Sequence, residues 1–102
     1  MADTLKYFTG TLTTSEATVY TVPASRAFIM QGFWVSNNNI NDKHFTLKLD
    51  DKRFASENDV PFKDTIVNCG LEIPVLTTKT IKVTGEVDTD MDYAIWGIEV
   101  DV

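Results

Sequence analysis

The chain of 102 residues contains one cysteine and one histidine, too few for several kinds of site. Its single thiol, Cys69, cannot form an internal disulfide. Cys69 lies in a turn-like Asn-Cys-Gly sequence and His44 in a strand pattern, so the two are not expected to form a nucleophile and base pair. No Gly-rich phosphate loop, Cys/His metal cluster or nucleophile-elbow serine occurs either. We therefore predict a protein that is not an enzyme and has no catalytic residue, cofactor or metal.

Long apolar runs and clustered basic residues are also lacking. No run of 18 apolar residues occurs, and the first ten residues, MADTLKYFTG, contain no apolar segment typical of a signal peptide. Lysine and arginine number 9 against 15 aspartates and glutamates, which gives a net charge of -6. Proteins that bind nucleic acid usually carry a basic face. The sequence thus predicts no membrane partner and no nucleic-acid partner.

No segment repeats its apolar residues at the helical period, which excludes folds built from alternating strands and helices. About eight short alternating segments appear instead, with turn residues about every 8 to 12 positions. We predict an all-β fold in a single domain, residues 1–102, with no substantial helix. The predicted architecture is an antiparallel β-sandwich that resembles a jelly roll. The expected strands are residues 5–12, 18–22, 28–36, 43–50, 53–55, 64–67, 71–74, 77–85 and 93–100, with residues 37–42 as a loop.

Strand alternation predicts which side chains face the core. The cleanest pattern is in residues 43–50, where Phe45, Leu47 and Leu49 are expected to point inward. Ile81 and Val83 are expected inward in a later strand. Asp51-Lys52 is expected to close a tight hairpin, and residues 56–63 are predicted to be irregular, with at most one helical turn around Glu57.

The longest apolar stretch, near the middle of the chain, needs cover on both faces. We expect Phe33 and Val35 to pack on a second sheet, so that Phe28, Met30 and Trp34 point outward. Either a segment of the same chain covers these three side chains or a partner does. Contiguous exposed apolar patches usually mark interaction sites, and Trp and Met are enriched there.

The last strand adds two more candidates. Its alternation groups Ala94, Trp96, Ile98 and Val100 on one face and leaves Tyr93 and Ile95 outward. If this strand neighbours the central one, the outer residues of both form one apolar surface. The predicted interface residues are Phe28, Met30, Trp34, Tyr93 and Ile95.

An acidic turn near the end of the chain partly matches a calcium loop. Asp88, Asp90, Asp92 and Glu99 stand at relative positions 1, 3, 5 and 12, but Tyr93 occupies the position that requires glycine. We interpret the segment as a solvated acidic hairpin and predict no metal site. Catalysis by a carboxylate pair stays open, since 15 acidic residues in a small domain always supply pairs.

Three stretches carry a family resemblance: VYTVPASRAFIMQGFWVSN, TKTIKVTGEVD and YAIWGIEV. They resemble a pattern of small tailed-phage virion proteins, in which a "YTVPAG" corner precedes a long strand and the chain closes with "GDTIKV" and "GxE" strands. The resemblance covers residues 18–100. It implies a non-enzymatic structural protein of the virion: a capsid decoration or cement protein, or a neck, tail or baseplate component.

The resemblance also implies partners and a location. The protein would associate with itself as a trimer or ring and bind a major capsid or tail protein. It would be made in the host cytoplasm, would not be secreted and would reside in the virion. A second hypothesis is a carbohydrate- or receptor-binding module that uses Trp34, Tyr7 or Tyr20 as a sugar platform.

Overall fold

A computed structural model describes residues 3–102, which form eight β-strands and no helix. Accordingly, no helix within that range could cross a membrane. The strands are β1 (Thr4–Thr11), β2 (Ala17–Thr21), β3 (Arg26–Asn37), β4 (Lys43–Leu49), β5 (Lys52–Val60), β6 (Thr65–Val75), β7 (Thr80–Gly85) and β8 (Met91–Asp101).

The strands form two antiparallel sheets of four. We call the sheet with the order β1-β8-β3-β6 the front sheet and the sheet with the order β2-β7-β4-β5 the back sheet. Only β4 and β5 are consecutive strands of the same sheet, while every other connection crosses between the sheets. This order is that of a jelly roll. The predicted all-β sandwich is therefore confirmed, including its jelly-roll character.

The core lies between the sheets and contains the residues that alternation selects in the regular strands. Phe45, Leu47 and Leu49 of β4 are buried, as are Ile81 and Val83 of β7. Each of these two strands is paired on both sides, so its inward side chains are not exposed at a sheet edge. The predicted inward faces of these two strands are confirmed.

Two segments differ from the sequence prediction. Residues 56–63 were expected to be irregular, but β5 continues to Val60 and pairs with β4 across two register shifts. The expected strands 64–67 and 71–74 are one strand, β6, which bulges at Gly70 with a φ of 71°. The tight hairpin between β4 and β5 is present, but its turn lies one residue earlier than predicted, at Asp50 and Asp51, which have φ values of 56° and 57°, and Lys52 already belongs to β5.

The central strand β3 reverses its faces half-way along. A register shift lies between Met30 and Gly32 in the pairing with both neighbours. Gln31 is an extra residue relative to β8, whereas three residues of β6, positions 70–72, lie opposite it. An extra residue changes the parity of alternation beyond it. Phe28 and Met30 consequently point into the same core as Phe33, with 0% of each exposed. The prediction that Phe28 and Met30 point outward is wrong.

The last strand has the opposite orientation to the one predicted. Ile95 is a core residue that is 1% exposed, and Tyr93 packs half-buried against the same core. Tyr93 lies over Gly10 of β1, where any side chain would meet its ring. The predicted outward orientation of Tyr93 and Ile95 is therefore wrong. Trp96, predicted inward, lies on the outer face instead.

Candidate interaction surface

The outer face of the front sheet carries apolar side chains from all four of its strands. Strand pairing places Tyr7 of β1 opposite Trp96 of β8, and Trp34 of β3 opposite Val67 of β6. Leu5 precedes Tyr7 by two residues and so points to the same side. We call Leu5, Tyr7, Trp34, Val67 and Trp96 the front surface.

A glycine allows the two central strands to present this surface. The ring of Trp96 lies across Gly32 of β3, its register partner. A Cβ atom on Gly32 would come 2.6 Å from Trp96 Cε2 and 2.8 Å from the carbonyl oxygen of Asn68. Gly32 is therefore required for Trp96 to lie flat on the sheet. Tyr7 continues the aromatic row, with its ring centroid 6.2 Å from that of Trp96.

Trp34 forms a ridge between two shallow grooves. One groove is lined by Leu5, Tyr7, Trp34 and Trp96. The other is lined by Trp34, Ser36, Thr65 and Val67. Trp34 is half-buried and borders both grooves, so the loops of the described chain do not cover it. Its predicted position on the outer face is confirmed.

The front surface is open and nearly uncharged. Leu5 is 72% exposed, and Tyr7 and Val67 are each 59% exposed. The flanking positions on the same face, which follow from strand alternation, are Thr9, Ser36, Thr65 and Ala94. None of these residues carries a charge; the nearest carboxylate on this face is that of Asp92, the register partner of Ser36. Protein interfaces are similarly depleted of charge at their centre and enriched in aromatic residues.

The outer face of the back sheet has the opposite character. It carries a groove lined by Glu16, Thr46, Lys48, Arg53, Ser56, Glu57 and Thr84. Lys48 pairs with Glu16 at 2.7 Å, and Lys82 pairs with Asp51 at 2.7 Å. The hydrogen bond between Lys82 and Asp51 lowers the pKa of Asp51 and raises that of Lys82. Charged side chains paired in this way are typical of a surface that faces water.

The carboxylates of the acidic turn serve separate loop contacts. Asp88 accepts hydrogen bonds from the N–H and the Oγ1 of Thr14, at 2.9 and 2.8 Å, and these bonds lower its pKa. Asp90 accepts a hydrogen bond from the side chain of Asn39 at 2.7 Å. Within residues 3–102, no group of three or more His, Cys, Asp or Glu side chains is placed to hold a metal ion.

The fourth member of that pattern, Glu99, belongs to a different part of the fold. It is 8% exposed and accepts hydrogen bonds from the hydroxyl of Tyr20 and from Nε of Arg26, the latter at 3.1 Å. Tyr20 also packs against the ring of Phe28, with centroids 5.4 Å apart. Tyr20 is therefore held at the edge of the core and is not an open sugar platform.

Of the five predicted interface residues, only Trp34 lies on the front surface. Phe28, Met30 and Ile95 are core residues, and Tyr93 covers Gly10 on the inner side. Alternation missed Leu5, Val67 and Trp96, and Tyr7 was named only as a possible sugar platform. A usable signal was present in β1, where Leu5 and Tyr7 alternate with Phe8, so that both faces of an edge strand are partly apolar.

Comparison with known proteins gives a likeness in fold. No protein-family model matches the chain, and no curated protein matches it. Among solved structures, one chain of the acidic stable capsid structure of Helicobacter pylori bacteriophage KHP30 is similar over 98% of this chain and 88% of its own, with a TM-score of 0.61 and 6% identity. A chain of the cyanophage Pam1 capsid asymmetric unit is similar over 98% and 85%, with a TM-score of 0.48 and 13% identity.

Proposed function

We propose that this protein is a non-enzymatic structural component of a bacteriophage virion that binds a particle surface through its front surface. In this role it acts as a decoration or cement protein on the capsid. The observation that carries the proposal is the uncharged aromatic face of the front sheet. The likeness in fold to a chain of the KHP30 capsid and the resemblance to tailed-phage virion proteins support the choice of a virion.

The composition of the front surface suits adhesion. Trp and Tyr are the side chains most often found at the energetic centre of interfaces, because each buries a large rigid area. Trp34 stands between two grooves, so a partner that fills both grooves encloses its ring on two sides. The polar flanking residues Thr9, Ser36 and Thr65 carry hydroxyl groups that remain able to hydrogen-bond at the rim.

The contrast between the two sheets gives the bound protein an orientation. The front sheet faces the shell, and the ion-paired back sheet faces the solvent. A net charge of -6 then lies mainly outside the contact, which keeps the unbound protein soluble. We expect a major capsid protein as partner, with a tail or neck protein as the other option within the same proposal.

Repetition strengthens such a contact. Copies joined into a homo-oligomer, a trimer or a ring, bind a repetitive shell with much higher avidity than one copy does. The protein would be made in the host cytoplasm and become part of the virion on assembly.

Sedimentation with shells that lack the protein tests this proposal. Trp34→Ala should weaken binding by about 2 kcal/mol, roughly 30-fold, because it removes the ridge between the grooves. Leu5→Asp should weaken binding at least as much, because it places an unpaired carboxylate in an apolar contact. The control is Ile40→Ala, which truncates a side chain that is 77% exposed on a loop away from the front surface. Equal binding by all three variants would refute the proposal.

A carbohydrate-binding function has weaker support. The groove beside Trp34 presents aromatic rings, but its four lining residues contribute one hydroxyl and two indole N–H groups and no carboxylate or amide. Sugar sites combine an aromatic platform with several precisely placed polar groups. Glycan binding that is lost in Trp34→Ala, without any binding to shells, would favour this alternative.

A further inference from the structure

The sandwich has four sheet edges, and one of them lacks the usual protection against pairing. Exposed edges are normally protected by charge, shortness or irregularity. The edge strand β5 has four charged side chains among its nine residues, and β2 has only five residues and a register shift. The edge strand β1 carries Lys6, which alternation directs toward the inner side. The first half of β6, residues 65–69, has no charged residue at all.

The two halves of β6 differ sharply. After residue 69 the strand bulges at Gly70, with a φ of 71°, and continues through Glu72 and Pro74. A bulge, a charge and a proline each discourage a further strand from pairing. The free edge suited to pairing is therefore the segment 65–69, which reads Thr-Ile-Val-Asn-Cys.

Hydrogen bonding to β3 fixes which backbone groups of this segment are free. The N–H of Asn37 donates to the carbonyl of Asp64 at 2.8 Å. Bonded and non-bonded pairs alternate in an antiparallel ladder, so the backbone groups of Asp64 and of every second residue from it bond to β3. The residues in between turn their backbone groups away from β3. Those residues are Thr65, Val67 and Cys69. The N–H of Thr65 is already bonded to the Asp64 carboxylate at 2.8 Å.

We propose that the free edge of β6 pairs antiparallel with the same edge of a second copy of this chain, about a two-fold axis at Val67. This register places Val67 opposite its own copy and Thr65 opposite Cys69. The five paired residues are uncharged, and the nearest charge on this edge is the Asp64 carboxylate, which binds the outward N–H of Thr65. The two-fold axis at Val67 places the two Asp64 carboxylates at opposite ends of the paired segment, so they do not contact each other. A two-fold axis at Val67 lets the same segment of each copy serve as the partner of the other, as in any isologous contact.

The pairing joins the two front sheets into one. Val67 lies beside Trp34 in the register, so the front surfaces of both copies become a continuous face. The pairing forms four backbone hydrogen bonds between the copies, because the N–H of Thr65 in each copy remains bonded to its own Asp64 carboxylate. So few bonds over five residues make a weak dimer in solution. On a particle, which already concentrates the copies, the same contact links neighbours, in addition to a trimer or ring formed through other surfaces.

Disulfide trapping with Thr65→Cys tests the proposed register. In a hydrogen-bonded antiparallel pair the two Cα atoms are about 5.5 Å apart, within the range of a disulfide. The thiol introduced at position 65 of one copy should therefore couple to Cys69 of the other under mild oxidation and give a dimer that reducing agents reverse. The native Cys69 residues of the pair would lie about 13 Å apart along the strands and should not couple.

Two variants serve as controls for the trapping. Thr9→Cys places an exposed thiol on the opposite edge of the same sheet and should give no dimer above the wild type. Val67→Lys in the Thr65→Cys background should abolish trapping, because it puts a charge at the two-fold axis. Equal dimer yields for Thr65→Cys and Thr9→Cys, or efficient coupling of the wild-type chain, would overturn the proposal.

This inference rests on the proposed function only for the role of the contact on a particle. The trapping uses purified protein without shells, and shell binding is measured separately with Trp34→Ala. A missing dimer together with intact, Trp34-dependent shell binding would reject the β6 contact alone. A trapped dimer without any shell binding would reject the proposed function alone.

Discussion

Phe28→Ala distinguishes a core residue from an interface residue most sharply. Phe28 is 0% exposed and packs edge-on against Phe8 and Tyr20, with ring centroids 6.0 and 5.4 Å away. Truncating a buried phenylalanine typically costs about 3–5 kcal/mol. A domain of this length has a free energy of unfolding of about 5–15 kcal/mol, so the loss is a large fraction of the total.

Urea denaturation followed by tryptophan fluorescence measures this loss directly, since both tryptophans remain in the variant. The midpoint should fall strongly with little change in slope, and the melting temperature should fall by roughly 12 °C or more. Leu5→Ala, at a site that is 72% exposed, should change stability by no more than about 0.5 kcal/mol. Wild-type stability of Phe28→Ala combined with lost association would refute the position of the bulge in β3 and restore Phe28 to an interface.

Two further predictions concern the close approach of β8 to β3 and the acidic turn. Gly97→Ala should destabilise the fold by about 1–3 kcal/mol in the same urea assay, because a Cβ there overlaps the backbone of β3 and comes 2.7 Å from Phe28 Cζ; unchanged stability would contradict the close approach of β8 to β3. Asp88 should titrate by NMR below its ordinary pKa of 3.8, because the hydrogen bonds from Thr14 favour the carboxylate. These hydrogen bonds stabilise the two loops above pH 3.8 and are lost as the pH falls through the lowered pKa of Asp88. The amide signal of Thr14 should therefore change with the same midpoint as the Asp88 carboxyl. A midpoint at or above 3.8 would contradict this prediction.

The sequence was sufficient to predict the class of fold. Alternation in β4 and β7 is regular, because those strands lie within the back sheet and bury one face only, and their inward residues were predicted correctly. The strand order follows from the long-range pairing of β1 with β8 and β3 with β6, which local patterns do not encode. The jelly-roll topology was therefore predictable as a type, while the register of each pair was not.

The candidate surface was harder to predict because its position depends on two irregularities. Gln31 is an extra residue of β3 relative to β8, so the alternation of inward and outward residues counted from Phe28 does not continue to Trp34. The face containing Trp34 was still identified as the outer one, but Phe28 and Met30 were assigned to it wrongly. Glycine inside a strand often marks a bulge or a close approach, and Gly32 beside Gln31 was the available signal.

The face of β8 could not be read from its own residues. Met91, Tyr93 and Ile95 alternate with Ala94, Trp96 and Ile98, so both faces are apolar and hydrophobicity alone does not choose between them. The choice is made by neighbours: Gly32 provides space for the Trp96 ring on the outer side, and Gly10 provides space for Tyr93 on the inner side. Complementary glycines on adjacent strands thus determine which aromatic residues reach the surface.

The orientation of the protein on its particle is the most direct test of the proposed role. A cryo-electron microscopy map of the virion that contains this chain would show which sheet faces the shell. We expect Trp34 and Trp96 to be buried against the shell, with Lys48 and Lys82 of the back sheet exposed to solvent. A map in which the back sheet contacts the shell and the front surface faces solvent would contradict the proposed role of the front surface.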